Sequence, residues 1–224
     1  GMSIVPYDRH IELDIKTKEP FDRIWAFHHR EAPLLTVPDS LSDGICCPAL
    51  DNDEMTLIPL SRPVEQIRLC ASVADSSFAH SAFYGFSLEN GRSGVLYHSF
   101  GINGNTYAAI NRNPQIVRQA SGLCPDLVIV SLGTNDSYGA SFDPADADVQ
   151  ITRLIDSIRR NMPASVLLLT TPMEHCRRIR SKGRTYRKPN PNACAMRECI
   201  LRQAALYRLA FAYVHCREAA LDVV

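Results

Sequence analysis

Two continuous apolar runs on either side of an amphipathic helix constrain this fold more than any other feature. The runs are DLVIVSL at 126–132 and SVLLLT at 165–170, and such runs are typical of parallel strands buried on both faces. Between them, Asp143 is a predicted N-cap, and Pro144 occupies the first helical position. The predicted helix carries one apolar stripe, formed by Ile151, Leu154, Ile155 and Ile158. This strand, helix, strand order predicts a parallel sheet.

Residues 94–224 extend the same pattern. GVLYHSF at 94–100 is a further predicted strand, and a second helix is predicted from about Asn192 to Cys216. The second helix has an apolar side made of Met196, Ile200, Ala204, Tyr207 and Phe211. We therefore expect an α/β domain over 94–224.

Residues 3–93 have a different pattern, in which short extended runs alternate with turn residues. In HIELDIK at 10–16, apolar residues fall at every second position, which is typical of a strand with one face in water. Prolines and the Asn90–Gly91 pair separate such runs. The pattern predicts an antiparallel, jelly-roll-like β-sandwich subdomain over 3–93.

Composition excludes several classes of function. The 24 basic and 24 acidic residues cancel, so no overall field attracts nucleic acid, and no nucleic-acid partner is predicted. No apolar run approaches the roughly 20 residues that span a bilayer, and the N-terminus lacks the apolar segment of a signal peptide. The eight cysteines form no CxxC pair, so we predict no metal site, disulfide framework or cofactor.

Two loops carry the candidate chemistry. GINGNT at 101–106 and GTND at 133–136 each follow a predicted strand, at the end where open α/β sheets place ligand sites. A glycine lets a backbone N–H approach a bound oxygen closely, and Asn135 supplies a side-chain amide. Together these donors predict an oxyanion hole, which stabilises the charge that develops during acyl transfer. Either loop alone also fits an ordinary structural turn.

Taken together, GVLYHSFGINGNTYAAI and CPDLVIVSLGTNDSYG resemble the second and third sequence blocks of the SGNH, or GDSL-type, hydrolase family. LLLTTP at 167–172 resembles the strand and turn that follow the next helix in that family. The resemblance implies a partial flavodoxin-like, three-layer α/β/α fold with Gly104, rather than Gly101, and Asn135 as oxyanion donors. The preceding region is similar to the sandwich that some bacterial esterases of the family carry.

The resemblance also implies a function. Members hydrolyse esters, so the expected substrate is a small ester or an acylated carbohydrate, such as an acetylated polysaccharide or cell-wall glycan. Asn103, Thr134 and Asp136 of the two loops are the expected substrate contacts. Relatives are often periplasmic or secreted, although the sequence itself predicts no compartment.

Two blocks of the family are not found. The family's Ser nucleophile lies in a GDS block and its His base in a D-x-x-H block. We interpret Ser76 of ADSS as a turn residue, His215 as a helix residue and His98 as a strand residue. The expectation is a truncated gene product, a fragment or a degenerate, inactive relative. An exposed sheet edge is then expected where the first strand would pair, and a second copy could cover it.

A basic segment lies between Glu174 and Asn190. It contains Tyr186 and seven of the 24 basic residues: Arg177, Arg178, Arg180, Lys182, Arg184, Arg187 and Lys188. Arg177 and Arg184 are predicted to hold an anionic glycan while Tyr186 stacks on a sugar ring. The alternatives are a solvated basic loop and nucleic-acid binding, for which no motif is present. The segment also supports a rival function, a non-catalytic glycan-binding or protein-interaction module.

Overall fold

A computed structural model describes residues 2–4, 10–30, 32, 35–42, 47–49, 52–72, 81–139, 141–181, 183–207 and 210–212. The chain divides into two compact units, Gly1–Tyr97 and His98–Val224. The boundary between 93 and 94 and the sandwich arrangement of residues 3–93 stay predictions.

The first unit contains a five-stranded antiparallel sheet. Its strands are β1 (Met2–Ile4), β2 (His10–His28), β3 (Cys47–Ala49), β4 (Asn52–Ser72) and β5 (Ser81–Glu89), in the order β1-β5-β2-β4-β3. The alternation in HIELDIK sets the register of β2 on β4, where Leu13 lies opposite the buried Leu69. On the wet face, Arg68 Nε donates to Asp14 Oδ1 at 2.7 Å. The predicted antiparallel N-terminal sheet is confirmed.

The described part of the second unit contains a parallel sheet and five helices. The sheet is β10-β7-β6, formed by β6 (Leu127–Ser131), β7 (Val166–Thr170) and β10 (Ala210–Ala212). The helices are α1 (Tyr107–Asn111), α2 (Gln115–Ser121), α3 (Thr134–Tyr138), α4 (Pro144–Asn161) and α5 (Pro191–Tyr207). An exposed two-stranded hairpin, β8 (Cys176–Ser181) and β9 (Arg184–Pro189), lies between β7 and α5.

Helix α4 forms as its sequence predicts. The Asp143 carboxylate accepts from the Ala145 N–H at 3.0 Å, and Pro144 is the first helical residue. The whole apolar stripe is buried: Ile151, Leu154, Ile155 and Ile158. The stripe packs in one core with Leu167 and Leu169 of β7, which confirms the α/β class.

The two faces of the parallel sheet have different surroundings. Val130, Leu167 and Leu169 point into the core that holds the helices. On the opposite face, Leu127 and Ile129 are each 50% exposed. Among the described strands, β6 pairs with β7 alone, so its other edge is free. That a second copy of the chain covers this edge stays a prediction.

Two predicted elements differ in the structure. GVLYHSF at 94–100 is not a strand but an irregular, exposed segment, in which Val95 is 95% exposed. Its apolar composition suits a buried strand, but no described strand pairs with it. The predicted helix over 192–216 ends at Tyr207, and β10 then runs parallel to β7. Periodicity alone could not separate a helix from a buried strand in the short apolar run LAFAYV.

The helices in the described ranges include none with the length and apolar character needed to cross a bilayer.

Candidate active site

The loop at 101–106 is organised by a tight turn. The Asn105 N–H donates to the Ile102 carbonyl at 3.1 Å, and Gly104 has a φ of +78°. Since Asn103 is not among the residues with positive φ, this is the geometry of a type II turn, which favours glycine at its third position. The turn bond does not use the Gly104 N–H. Both Asn103 and Gly104 are exposed, so this N–H can meet a ligand.

The loop at 133–136 begins with a glycine that has no room for a side chain. Gly133 has a φ of +108° and precedes α3. A Cβ atom built on it would lie 3.1 Å from Met196 Cγ of α5. The sequence GTND therefore turns tightly off β6 and places Thr134 and Asn135 in the first turn of α3.

Replacing Gly133 with alanine is expected to lower the free energy of unfolding by about 2 kcal/mol, because it combines a strained positive φ with a contact in the core. Thermal melts of the variant measure this loss. Gly139→Ala is the control, because Gly139 has a φ of −65° and a Cβ atom added there would have its nearest neighbour at 4.0 Å. Equal stability of the two variants would contradict the prediction.

The structure brings the two loops together. Asn135 Nδ2 donates to the carbonyl oxygen of Asn105 at 2.9 Å. A primary amide carries two N–H groups, so one orients the side chain and the second stays available. Asn135 is exposed, as Gly104 is. The oxyanion role of this pair stays a prediction, and the contact between the loops is compatible with it.

The side chain of Asp136 also connects the 133–136 loop to the start of α1, which follows the 101–106 loop. Its Oδ1 accepts from the Tyr107 N–H at 2.9 Å, and the backbone N–H groups of Gly133 and of Asp136 itself also lower the pKa of this carboxyl. Burial raises the pKa of the Asp136 carboxyl, against the lowering effect of these N–H donors. Burial, and then the charge of Asp136, raise the pKa of the Tyr107 phenol. Asp136 thus holds α1 to α3, while its predicted substrate contact stays a prediction.

Thr134 is half-buried at the start of α3, where its carbonyl accepts from Ser137 Oγ at 3.2 Å. The predicted substrate contacts of Thr134 and of Asn103, which lies in the turn described above, stay predictions.

The basic segment forms the β8–β9 hairpin. In its register Arg177 lies opposite Lys188, Ile179 opposite Tyr186, and Ser181 opposite Arg184. Directly opposed residues share a face, and side chains alternate between faces along each strand. Arg177, Arg184 and Tyr186 therefore share one face, and Lys188 Nζ lies 5.9 Å from the centre of the Tyr186 ring. Lys182 lies outside the described residues.

Sequence reasoning missed the residues that attach this hairpin to α3. The buried Asn190 donates through Nδ2 to the Ser137 carbonyl at 2.8 Å, and the same atom lies 2.9 Å from His175 Nε2. The His175 ring stacks on Tyr138 of α3, with ring centres 5.8 Å apart. Asn190 before Pro191 is a typical helix start, which is the signal that could have identified it.

The residues that the structure describes supply no candidate pair of nucleophile and base. Ser76 and His215 lie outside the described residues, and His98 is exposed in an irregular segment. In the described part of 98–212, no serine hydroxyl is hydrogen-bonded to a histidine ring. Nor do three or more His, Cys, Asp or Glu side chains of the described residues form a group that could hold a metal ion.

A family model, that of the GDSL-like lipase/acylhydrolase family, matches residues 73–222. None of the curated proteins compared with the chain matches it.

Solved structures resemble the chain at low sequence identity. A peptidoglycan O-acetylesterase has a TM-score of 0.51 and 15% identity, over 94% of this chain and 62% of its own. A possible lipase from Chitinophaga pinensis has a TM-score of 0.37 and 18% identity, over 50% of this chain and 49% of its own. A family two carbohydrate esterase from Clostridium thermocellum has a TM-score of 0.33 and 15% identity, over 93% of this chain and 82% of its own. This chain therefore spans less than two thirds of the first two structures, and the first of them supports the SGNH-hydrolase fold.

Proposed function

Because the chain belongs to the GDSL-like lipase/acylhydrolase family, we propose that its α/β unit stabilises the oxyanion in an ester-hydrolysing site. Gly104 contributes its backbone N–H and Asn135 the second N–H of its amide. The observation that carries the proposal is the 2.9 Å bond between Asn135 Nδ2 and the Asn105 carbonyl. This bond holds the Asn135 amide beside Asn105, the residue that follows Gly104. It therefore supports the assignment of the Asn135 amide and the Gly104 N–H to one oxyanion site.

The proposed effect of these two donors depends on where negative charge develops during ester hydrolysis. When a nucleophile adds to an ester carbonyl, the carbonyl oxygen becomes an anion, and donors already aimed at that position lower the barrier. The hydrogen bonds of Asn135 and Asp136 fix both loops before a substrate arrives. Donors that need no reorganisation are the ones that stabilise a transition state most.

The proposed substrate is an O-acyl ester, in particular an acetyl ester, of a polysaccharide or cell-wall glycan. Support comes from the peptidoglycan O-acetylesterase that shares this fold and from the exposed basic hairpin, which suits an anionic glycan. The proposal assigns neither the nucleophile nor the general base.

A second candidate is a non-catalytic glycan-binding or interaction module. The hairpin favours it, because six described cations and one tyrosine are exposed or half-exposed there without any catalytic pair beside them. The two candidates differ in whether acetate is released.

Acetate release from an O-acetylated glycan separates these functions. We expect a slow release, on the order of 10³- to 10⁴-fold above spontaneous hydrolysis, which is what an oxyanion hole and binding supply without a complete triad. A fluorophosphonate probe is expected not to label the protein, because Ser76 is interpreted as a turn residue.

Release no faster than spontaneous hydrolysis, together with glycan binding, would contradict the esterase and support the module. Labelling that disappears in Ser76→Ala would instead identify Ser76 as the nucleophile and overturn its interpretation.

A further inference from the structure

The β8–β9 hairpin has cations on both faces. One face carries Arg177, Arg184 and Lys188 around Tyr186, and we call it the tyrosine face. The other face carries Arg178, Arg180 and Arg187. Like charges lie directly opposite each other on both, since Arg177 pairs with Lys188 and Arg178 with Arg187.

These cations have no counter-charge among the residues that the structure describes. Within the described part of the chain, no carboxylate lies within 4.0 Å of any of the six. Opposed like charges destabilise a strand pair, and a two-stranded sheet has little stability of its own. A hairpin of this composition is therefore stabilised by any anion that binds it.

The hairpin is fixed to the helix that carries Asn135. Asn190, directly after β9, bonds to the Ser137 carbonyl of α3. Its own N–H donates to the His175 carbonyl at 2.9 Å, just before β8. Both ends of the hairpin are thus joined to each other and to α3, the helix in which Asn135 also lies.

We propose that the tyrosine face binds a carboxylate-bearing glycan and presents its O-acyl groups to Gly104 and Asn135, an inference that rests on the proposed function. Arginine forks pair with carboxylates in two-point contacts, and an exposed tyrosine offers a flat surface to a sugar ring. The glycan is favoured over nucleic acid because the proposed function of the α/β unit needs acyl esters, which a glycan can carry and a nucleic acid does not.

Direct binding of fluorescein-labelled polygalacturonate tests this proposal, with neutral dextran of matched length as the control ligand. Polygalacturonate is expected to bind and dextran is not. Affinity should fall steeply as salt is raised, because the contacts are exposed charges. Replacing the tyrosine-face cations together should weaken binding at least about tenfold: Arg177→Ala, Arg184→Ala and Lys188→Ala.

A matched variant removes the same charge from the same hairpin. It replaces the opposite face and is expected to weaken binding less than about threefold: Arg178→Ala, Arg180→Ala and Arg187→Ala. Tyr186→Leu, which keeps every charge, should weaken polygalacturonate binding by about threefold through lost stacking. Thermal melts of each variant check the fold, and Tyr186→Leu keeps the test valid if a triple variant unfolds.

Three results would overturn the proposal. They are an equal loss of affinity in both triple variants, equal binding of dextran, and tighter binding of single-stranded DNA of matched length. Binding without acetate release would refute the esterase alone, whereas release without binding would refute the tyrosine-face site alone.

Discussion

Replacing Asn135 with alanine is expected to reduce acetate release by about 10²- to 10³-fold, which is the effect of removing one oxyanion donor. Asn135 Nδ2 has one N–H on the Asn105 carbonyl, and under the proposed function its second N–H stabilises the developing anion. An interaction made only in the transition state lowers the maximal rate and leaves apparent substrate affinity nearly unchanged. Initial rates of acetate release across a range of glycan concentrations measure both quantities.

Asn192→Ala is the matched control for Asn135→Ala. Asn192 Nδ2 donates to the Gly139 carbonyl at 2.8 Å, so the two side chains make the same kind of bond to backbone at opposite ends of α3. Each replacement costs one such bond, about 1 kcal/mol, and only Asn135→Ala should slow acetate release. An equal fall in the rate of acetate release in both variants would mean that Asn135→Ala acts through the lost bond to the backbone and not through a lost oxyanion donor.

Replacing Asp136 with alanine is expected to lower the free energy of unfolding by about 2–3 kcal/mol, because the buried Tyr107 N–H then loses a charged acceptor. The donor left without a partner is the Tyr107 N–H, and Tyr107 is buried. Chemical denaturation of wild type and variant at neutral pH measures the difference. A loss below about 1 kcal/mol would contradict the role of Asp136 in joining α1 to α3.

Asp136→Asn is the control for that replacement. An asparagine keeps the acceptor for the Tyr107 N–H, and its amide nitrogen takes the place of Oδ2, which has no partner among the described residues. We therefore expect Asp136→Asn to be within about 1 kcal/mol of wild type.

The pH dependence of stability separates these variants further. Burial raises the pKa of the Asp136 carboxyl above its ordinary value of 3.8, so the folded state binds this proton more tightly than the unfolded state does. The contribution of Asp136 to stability is then greatest below the unfolded pKa and declines as pH rises through the folded pKa. Asp136→Asn cannot ionise at this position, so its stability relative to wild type should increase with pH above about 3.8.

Local sequence signals were sufficient to predict elements whose formation depends on residues within the same element. The Asp143–Pro144 start and the apolar stripe of α4 predicted the helix that forms, because caps and periodicity act within a few residues. The same holds for β6, β7 and the alternation of β2. Both glycine loops were also identified, since turns with positive φ require particular residues.

Elements that depend on a distant partner were predicted less well. GVLYHSF has the composition of a strand, but a strand exists only where another strand receives its hydrogen bonds. Phe211 was assigned to a long helix because its neighbours are apolar, whereas pairing with β7 makes this stretch a strand. The link from Asn190 through His175 to α3 joins residues up to 53 positions apart, which no local pattern reveals.

The amino-acid pattern was enough to establish the α/β class, the family resemblance and the residue types of the candidate site, because these depend on periodicity, turn chemistry and short motifs. Tertiary structure decided that Asn135 bonds to the loop of Gly104, that Asp136 accepts the backbone N–H of Tyr107, and that Arg177, Arg184 and Tyr186 share one face. Those facts depend on strand register and on contacts between distant segments, which arise only when the chain packs.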